Sequence, residues 1–254
     1  MPPPPTLLDH ALVALITVGL PLHVLLFWFP RVKRAVAVHP RWARHRGYLE
    51  GNVVLWALAA VTLFHWARAG RAGPDLGLGA PEGLRFWAAL VVALGVVGGL
   101  VWQRIKLLRD ADTGDVREVV LRHLEPVRAI LPHTRAELAH FGAVSLTAGV
   151  CEEILYRGFV FAYLNALVPV GPALLLSSLL FGMAHAYQGN RGVVQTGLVG
   201  LVLGGFFLLA GTLWVPMLLH AAVDMNSGIT AHEMLREGRR GGRGEPGAGG
   251  GETD

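Results

Sequence analysis

The sequence predicts an all-α membrane protein, a polytopic bundle of about seven transmembrane helices. Hydrophobic residues make up 53% of the chain, charged residues make up only 16%, and the mean hydropathy is +0.47. The charged residues lie between apolar stretches of about 20 residues, the length that a helix needs to cross a bilayer. Helices are expected because a chain in lipid must satisfy its own backbone hydrogen bonds.

Seven apolar segments define the predicted spans, in chain order. The first is expected to stay in the protein as a span, because MPPPPTLLDH lacks the basic start of a signal peptide and no small-residue cleavage site follows FWFP. The predicted spans comprise residues 10–29, 50–67, 84–103, 137–164, 171–187, 193–210 and 212–229.

Basic residues predict the orientation of these spans. Arginine is concentrated after the first span, in residues 31–46, and after the third, in residues 104–135. The N-terminal arm has no basic residue, so the positive-inside rule places the N-terminus outside and the C-terminus in the cytoplasm. Anionic lipid at the cytoplasmic surface explains the arginines, and no nucleic-acid partner is expected despite the pI of about 9.7.

The chain divides into three predicted regions. Residues 1–135 hold three spans and a cytoplasmic amphipathic segment, VREVVLRHLEPVRAIL, whose apolar residues recur at helical spacing. Residues 136–230 form a core of four spans that carries the polar motifs described below. Residues 231–254 are rich in Gly and Arg and poor in apolar residues, so we expect a disordered tail.

Three motifs interrupt the apolar pattern: Glu152, Glu153 and Arg157 in CEEILYRG, Phe181 and His185 in FGMAH, and His220 and Asp224 in HAAVD. His23 and His65, in the first two spans, have no partner at helical spacing and are expected to be satisfied interior or interfacial histidines. Cys151 stands alone and is interpreted as apolar filler.

Helical geometry assigns different surroundings to the two adjacent glutamates. Glu153 and Arg157 lie one turn apart and can pair, whereas Glu152 points about 100° away from that face. A buried carboxylate without a partner costs several kcal/mol unless it meets a cation, a metal or water. A purely structural ion lock is the alternative, but the unpaired Glu152 favours a functional site.

The two histidine motifs complete the candidate site. Phe181 precedes His185 by one turn and is expected to pack beside its imidazole. His220 and Asp224 are also one turn apart, so the carboxylate can contact or flank the ring and orient it. A glutamate, two histidines and an aspartate suit the activation of water for hydrolysis. The sequence has no HExxH and no GxSxG motif.

EEILYR, FGMAH and HAAVD stand in the order and rough spacing of the EExxxR, FxxxH and HxxxN/D motifs, and the chain resembles the CPBP family over about residues 137–229. That family contains the type II CAAX prenyl endopeptidases and the bacteriocin-processing and immunity membrane proteins. The resemblance implies an intramembrane endopeptidase with a site open to the cytoplasmic side. It implies that Glu152 is the general base that activates water, with Glu153 and Arg157 in support. It also implies that His185 holds that water or a metal, and that His220 and Asp224 bind the metal or stabilise the oxyanion.

The third motif often ends in Asn, and here it ends in Asp. An ionised carboxylate cannot donate to an oxyanion, so Asp224 suits a metal ligand or a residue that orients His220. Two ways of activating water remain open at this stage. One is zinc held by His185, His220 and Asp224, and the other is a metal-free water activated by glutamate.

The expected substrate is a membrane-anchored or transmembrane peptide, since these reach an intramembrane site. Arginine far outnumbers lysine, and Ala, Gly, Leu and Val are abundant, which indicates a GC-rich bacterial genome and the inner membrane. A leader peptide, bacteriocin or membrane regulator is therefore preferred over a prenylated CAAX protein. Two other classes of function are open: a proton or cation transporter that uses the same residues, and a catalytically silent scaffold or immunity protein.

Overall fold

The computed structural model describes residues 4–110 and 115–241, with side chains omitted at 115 and 237–241. These residues form eight helices and no strand. The helices are α1 Leu7–Val38, α2 Pro40–Arg68, α3 Gly83–Asp110, α4 Asp115–Leu124, α5 Arg135–Asn165, α6 Val170–Ala184, α7 Gly189–Ala210 and α8 Trp214–Gly241. Short 3-10 turns, Glu125–Ile130 and Ala186–Gln188, precede α5 and α7.

The all-helical prediction is confirmed for the described residues, and each predicted span overlaps a helix. Five candidate spans are long and apolar enough to cross a bilayer: α1, α2, α3, α5, and α7 with its preceding turn. Helix α6 is apolar but has only 15 residues, and α8 is not among the five. The count of seven spans and the orientation therefore stay predictions.

The amphipathic segment before α5 folds against the end of α8. Helix α4 and the following 3-10 turn place Leu121, Leu124 and Val127 on a small apolar cluster with Ala231 and Leu235. Helix α8 therefore continues as an ordered helix past residue 230, where we predicted that a disordered tail begins. The apolar residues of AHEML explain this extension, because they are buried by α4 and its turn. The remainder of the predicted tail, 242–254, lies outside the described residues.

The candidate site is positioned by helix α5, which packs between α2 and α8. At Gly149, a Cβ atom would lie 2.8 Å from both the Met217 oxygen and the Ala221 nitrogen. The two backbones thus touch at this glycine, which no larger residue would permit. This contact brings Glu152, about one turn further along α5, beside His220 of α8.

A buried ionic cluster ties the start of α1 to the segment after α2. Both terminal nitrogens of Arg71 donate to the carboxylate of Asp9, at 2.7 and 2.6 Å, and His65 Nε2 lies 2.9 Å from the same group. The bond with Asp9 also raises the pKa of the Arg71 guanidinium. The expectation that His65 is a satisfied interior histidine is confirmed, and its partner is an aspartate 56 residues away.

Replacing Arg71 by alanine should destabilise the fold strongly, because it leaves the buried Asp9 carboxylate with no guanidinium and only His65 and Thr6 as partners. Breaking a buried ion pair in this way costs about 3–5 kcal/mol. We expect the Arg71→Ala protein to unfold at a clearly lower temperature in detergent. Arg68→Ala, at an exposed position three residues earlier, is the matched control and should unfold like the wild type. Equal unfolding temperatures for the two variants would contradict a stabilising role for the cluster.

Candidate active site

The first motif lies where helix α5 changes its geometry. Residues Glu153–Val160 adopt a π-helical conformation, and Glu152 is the last residue before it. Such segments are frequent at functional sites, but α1 also contains two, Leu15–Gly19 and Val24–Trp28, which belong to none of the three motifs. Arg157 Nη1 donates to Glu153 Oε1 at 2.8 Å, which confirms the predicted pair. The Glu153 and Arg157 side chains are 0% and 3% exposed, so the pair is screened from water.

Glu153 also holds His220, on the opposite helix. His220 Nδ1 lies 2.8 Å from Glu153 Oε1, so one carboxylate oxygen serves both the arginine and the imidazole. Because a carboxylate beside a guanidinium only accepts, His220 must donate its Nδ1 proton. In the neutral ring, Nε2 then presents a lone pair, and it lies 3.9 Å from Glu152 Oε2.

His185, at the C-terminal end of α6, is held in the same manner by a backbone group. Its Nδ1 donates to the carbonyl oxygen of Phe181 at 2.9 Å, which leaves Nε2 free. That nitrogen also lies 3.9 Å from Glu152 Oε2. The Phe181 ring packs edge-on to His185, with the centroids 4.9 Å apart, and to His220, at 5.8 Å. The predicted contact between Phe181 and His185 is therefore confirmed.

Asp224 flanks the site without binding its histidine directly. Its Oδ2 lies 3.8 Å from His220 Nε2, which is beyond hydrogen-bond distance. Asp224 thus flanks the ring, one of the two arrangements expected from the sequence, while Glu153 holds the Nδ1 that fixes the tautomer. The Asp224 side chain is 38% exposed and lies on the open side of the site.

Three acceptor atoms thus lie close together, because the Nε2 atoms of His185 and His220 are each 3.9 Å from Glu152 Oε2. The Glu152 oxygen is buried and has no hydrogen-bond partner within the described chain. A water about 2.8 Å from the Glu152 oxygen and from either nitrogen could bridge that pair. One water carries only two protons, so it cannot donate to all three acceptors. The site is therefore fully satisfied only with a further proton, on Glu152 or on a histidine, or with a cation.

The residues present fit zinc in their chemistry. Nitrogen and oxygen ligands suit this metal, and each histidine donates its other ring N–H to a carboxylate or a carbonyl, as metal-binding histidines do. Two ligands on tetrahedral zinc lie about 3.4 Å apart, whereas His220 Nε2 and Asp224 Oδ2, two of the expected ligand atoms, are 3.8 Å apart and would have to move slightly closer. No group of three or more His, Cys, Asp or Glu in residues 4–110 and 115–241 has metal-site geometry as it stands.

One contact in this site could not be predicted from the sequence. The bond between Glu153 and His220 joins residues 67 positions apart on different helices. Helical spacing could predict the Glu153–Arg157 pair and the His220–Asp224 proximity, because both lie within one turn. It could not predict which carboxylate binds the imidazole, since that depends on how α5 and α8 cross.

The sequence of this region matches a known family. Residues 134–226 fit the family model for type II CAAX prenyl endopeptidase Rce1-like proteins. We call this segment, which is similar to those proteins, the Rce1-like domain. The match confirms the resemblance to the CPBP family, and the Rce1-like domain contains all three motifs with the residues described above. No curated protein and no solved structure is significantly similar to the chain.

Proposed function

We propose that this protein is an intramembrane endopeptidase in which Glu152 activates water to hydrolyse a peptide bond. One observation carries the proposal: the buried, unpartnered Glu152 Oε2 lies 3.9 Å from the free nitrogen of each of two histidines. A water bound between them would touch a carboxylate able to take its proton. The Rce1-like domain supports the same activity, because its family is one of proteases.

The proposed reaction starts with a water held by Glu152 and one histidine. Glu152 takes a proton while the water oxygen bonds to the peptide carbonyl carbon, and the carbonyl electron pair moves to its oxygen. The other histidine, in its protonated form, donates a hydrogen bond to this oxyanion. The C–N bond then breaks as Glu152 passes its proton to the leaving amine. Zinc held by His185, His220 and Asp224 would make the bound water more acidic and polarise the carbonyl.

The proposed substrate is a peptide presented at the bilayer by a lipid anchor or a transmembrane segment. The five apolar helices support a site within the membrane, which such substrates reach at high local concentration. We propose the bacterial inner membrane as the location, and a leader peptide, a bacteriocin or a membrane regulator as the substrate.

Wild-type protein in liposomes should cleave members of a library of membrane-anchored peptides. In water enriched in ¹⁸O, each new carboxyl terminus should carry the heavy isotope, because hydrolysis transfers one water oxygen to the carbonyl carbon. Mass spectrometry of the products measures both the cleavage site and the label. A parallel reaction with a chelator separates zinc from metal-free water, since only a metal-dependent activity would be lost.

The matched control is the same protein with Glu152 replaced by glutamine. Labelled products with the wild type alone would support the proposal. Their absence from every peptide, with correctly folded protein, would contradict it. The transporter and the scaffold are then the remaining functions, and a proton flux assay in the same liposomes distinguishes these two.

A further inference from the structure

Arg157 lies in a narrow space between an aromatic ring and the backbone of α7. Its guanidinium carbon is 4.1 Å from the centre of the Phe181 ring. Gly200 of α7 borders both groups, because a Cβ atom there would stand 3.0 Å from Arg157 Nη2 and 3.1 Å from Phe181 Cδ1. Real Cβ atoms rarely come so close, so a side chain at residue 200 would displace the guanidinium or the Phe181 ring by a few tenths of an ångström.

Arg157 connects Gly200 to His220 through Glu153. Its Nη1 holds Glu153 Oε1 at 2.8 Å, and the same oxygen holds His220 Nδ1 at 2.8 Å. A shift of the guanidinium therefore moves the carboxylate that sets the orientation and tautomer of His220. These buried groups have little room to relax, because Glu153 is fully buried and Phe181 is 1% exposed.

We propose that Gly200 is a positioning residue for His220, acting through Arg157 and Glu153. The proposal rests on the peptidase activity proposed above for its effect on catalysis, but the geometry of His220 can be tested without activity. Gly200 lies in none of the three motifs and touches no reacting atom. Its role is to let Arg157 lie against α7 so that His220 Nε2 faces Glu152.

The test variant is Gly200→Ala, which adds one methyl group against Arg157 and Phe181 and puts the best helix former in place of a poor one. Two glycines of the same helix supply controls. A Cβ at Gly204 would lie 2.3 Å from Leu174 Cδ1, so Gly204→Ala disturbs the packing of α6 on α7 but contacts no site residue. A Cβ at Gly205 would have nothing within 4 Å.

The first readout is the ¹⁵N NMR spectrum of histidine-labelled protein in liposomes. The chain has 11 histidines, and the His220 signals are assigned by their loss in His220→Gln. We expect the wild-type His220 to show a single state protonated at Nδ1. Gly200→Ala should shift these signals or split them between two tautomers, while Gly204→Ala and Gly205→Ala retain the wild-type signals.

The second readout is kcat for a membrane-anchored peptide, with the unfolding temperature of each variant measured alongside. Misplacing a catalytic group by a fraction of an ångström is expected to lower kcat about tenfold in Gly200→Ala. Gly204→Ala should lower the unfolding temperature with kcat retained, and Gly205→Ala should change neither.

The outcomes separate the two proposals. Unchanged His220 signals in Gly200→Ala, or the same change in Gly204→Ala, would overturn the role of Gly200 whether or not the wild type cleaves peptides. A change confined to Gly200→Ala, together with lower kcat, supports both proposals. The same spectral change with a wild type that cleaves nothing would support the positioning role and count against the peptidase.

Discussion

Replacing Glu152 by glutamine is expected to abolish peptide hydrolysis while leaving the protein folded. Glutamine has almost the same shape, but its amide cannot take a proton from water. General bases contribute about 10²–10⁴-fold to rate, so we expect kcat/KM for a membrane-anchored peptide to fall by about a thousandfold or more. The fall should appear in kcat with KM nearly unchanged, because the substrate-binding surface is retained.

Glu118→Gln is the control for this experiment. Glu118 is an exposed glutamate on α4 that pairs with Arg122, away from the motifs. This variant should cleave peptides at the wild-type rate, because a surface pair contributes little to stability. If Glu152→Gln instead retained a tenth or more of the wild-type kcat, Glu152 could not be the general base, and the proposed mechanism would have to be abandoned.

The parts of this protein that the sequence predicted are those that depend on local geometry. Apolar segments of membrane length predicted the helices, and one-turn spacing predicted the Glu153–Arg157 pair and the packing of Phe181 on His185. The separation of Glu152 from Glu153 followed from the same helical geometry. It is borne out in their contacts, since Glu152 faces two histidines and Glu153 faces Arg157 and the far side of His220.

The features that the sequence did not predict depend on contacts between distant segments. Asp9 binds Arg71, which is 62 residues away, and Glu153 binds a histidine 67 residues away. The π-helical segment after Glu152 was also unexpected, because no proline or glycine pair marks it in EILYRGFV. Ser177 of α6 donates to the carbonyl oxygen of Tyr156 within this segment, so tertiary contacts contribute to its conformation.

The buried pair of Glu153 and Arg157 gives the second large expected effect. Replacing Arg157 by methionine leaves Glu153 as a buried charge with His220 as its remaining partner. We expect the free energy of unfolding to fall by about 3–5 kcal/mol, as it does when one partner of a buried ion pair is removed. Cleavage should also be lost, because the carboxylate that orients His220 is no longer held. Unfolding temperature in detergent and cleavage rate in liposomes measure the two effects.

A double variant separates the structural role of the pair from its role in catalysis. Glu153→Gln together with Arg157→Met leaves no unpaired charge, and neutral replacements of buried ion pairs are often as stable as the pair itself. We therefore expect the double variant to regain most of the lost stability but not the cleavage, because a neutral amide can also donate and no longer fixes the proton of His220 on Nδ1. If stability and cleavage both returned, the pair would be a lock between helices with no part in the reaction. If stability returned without cleavage, the carboxylate of Glu153 would be established as a group that His220 needs in order to take part in the reaction.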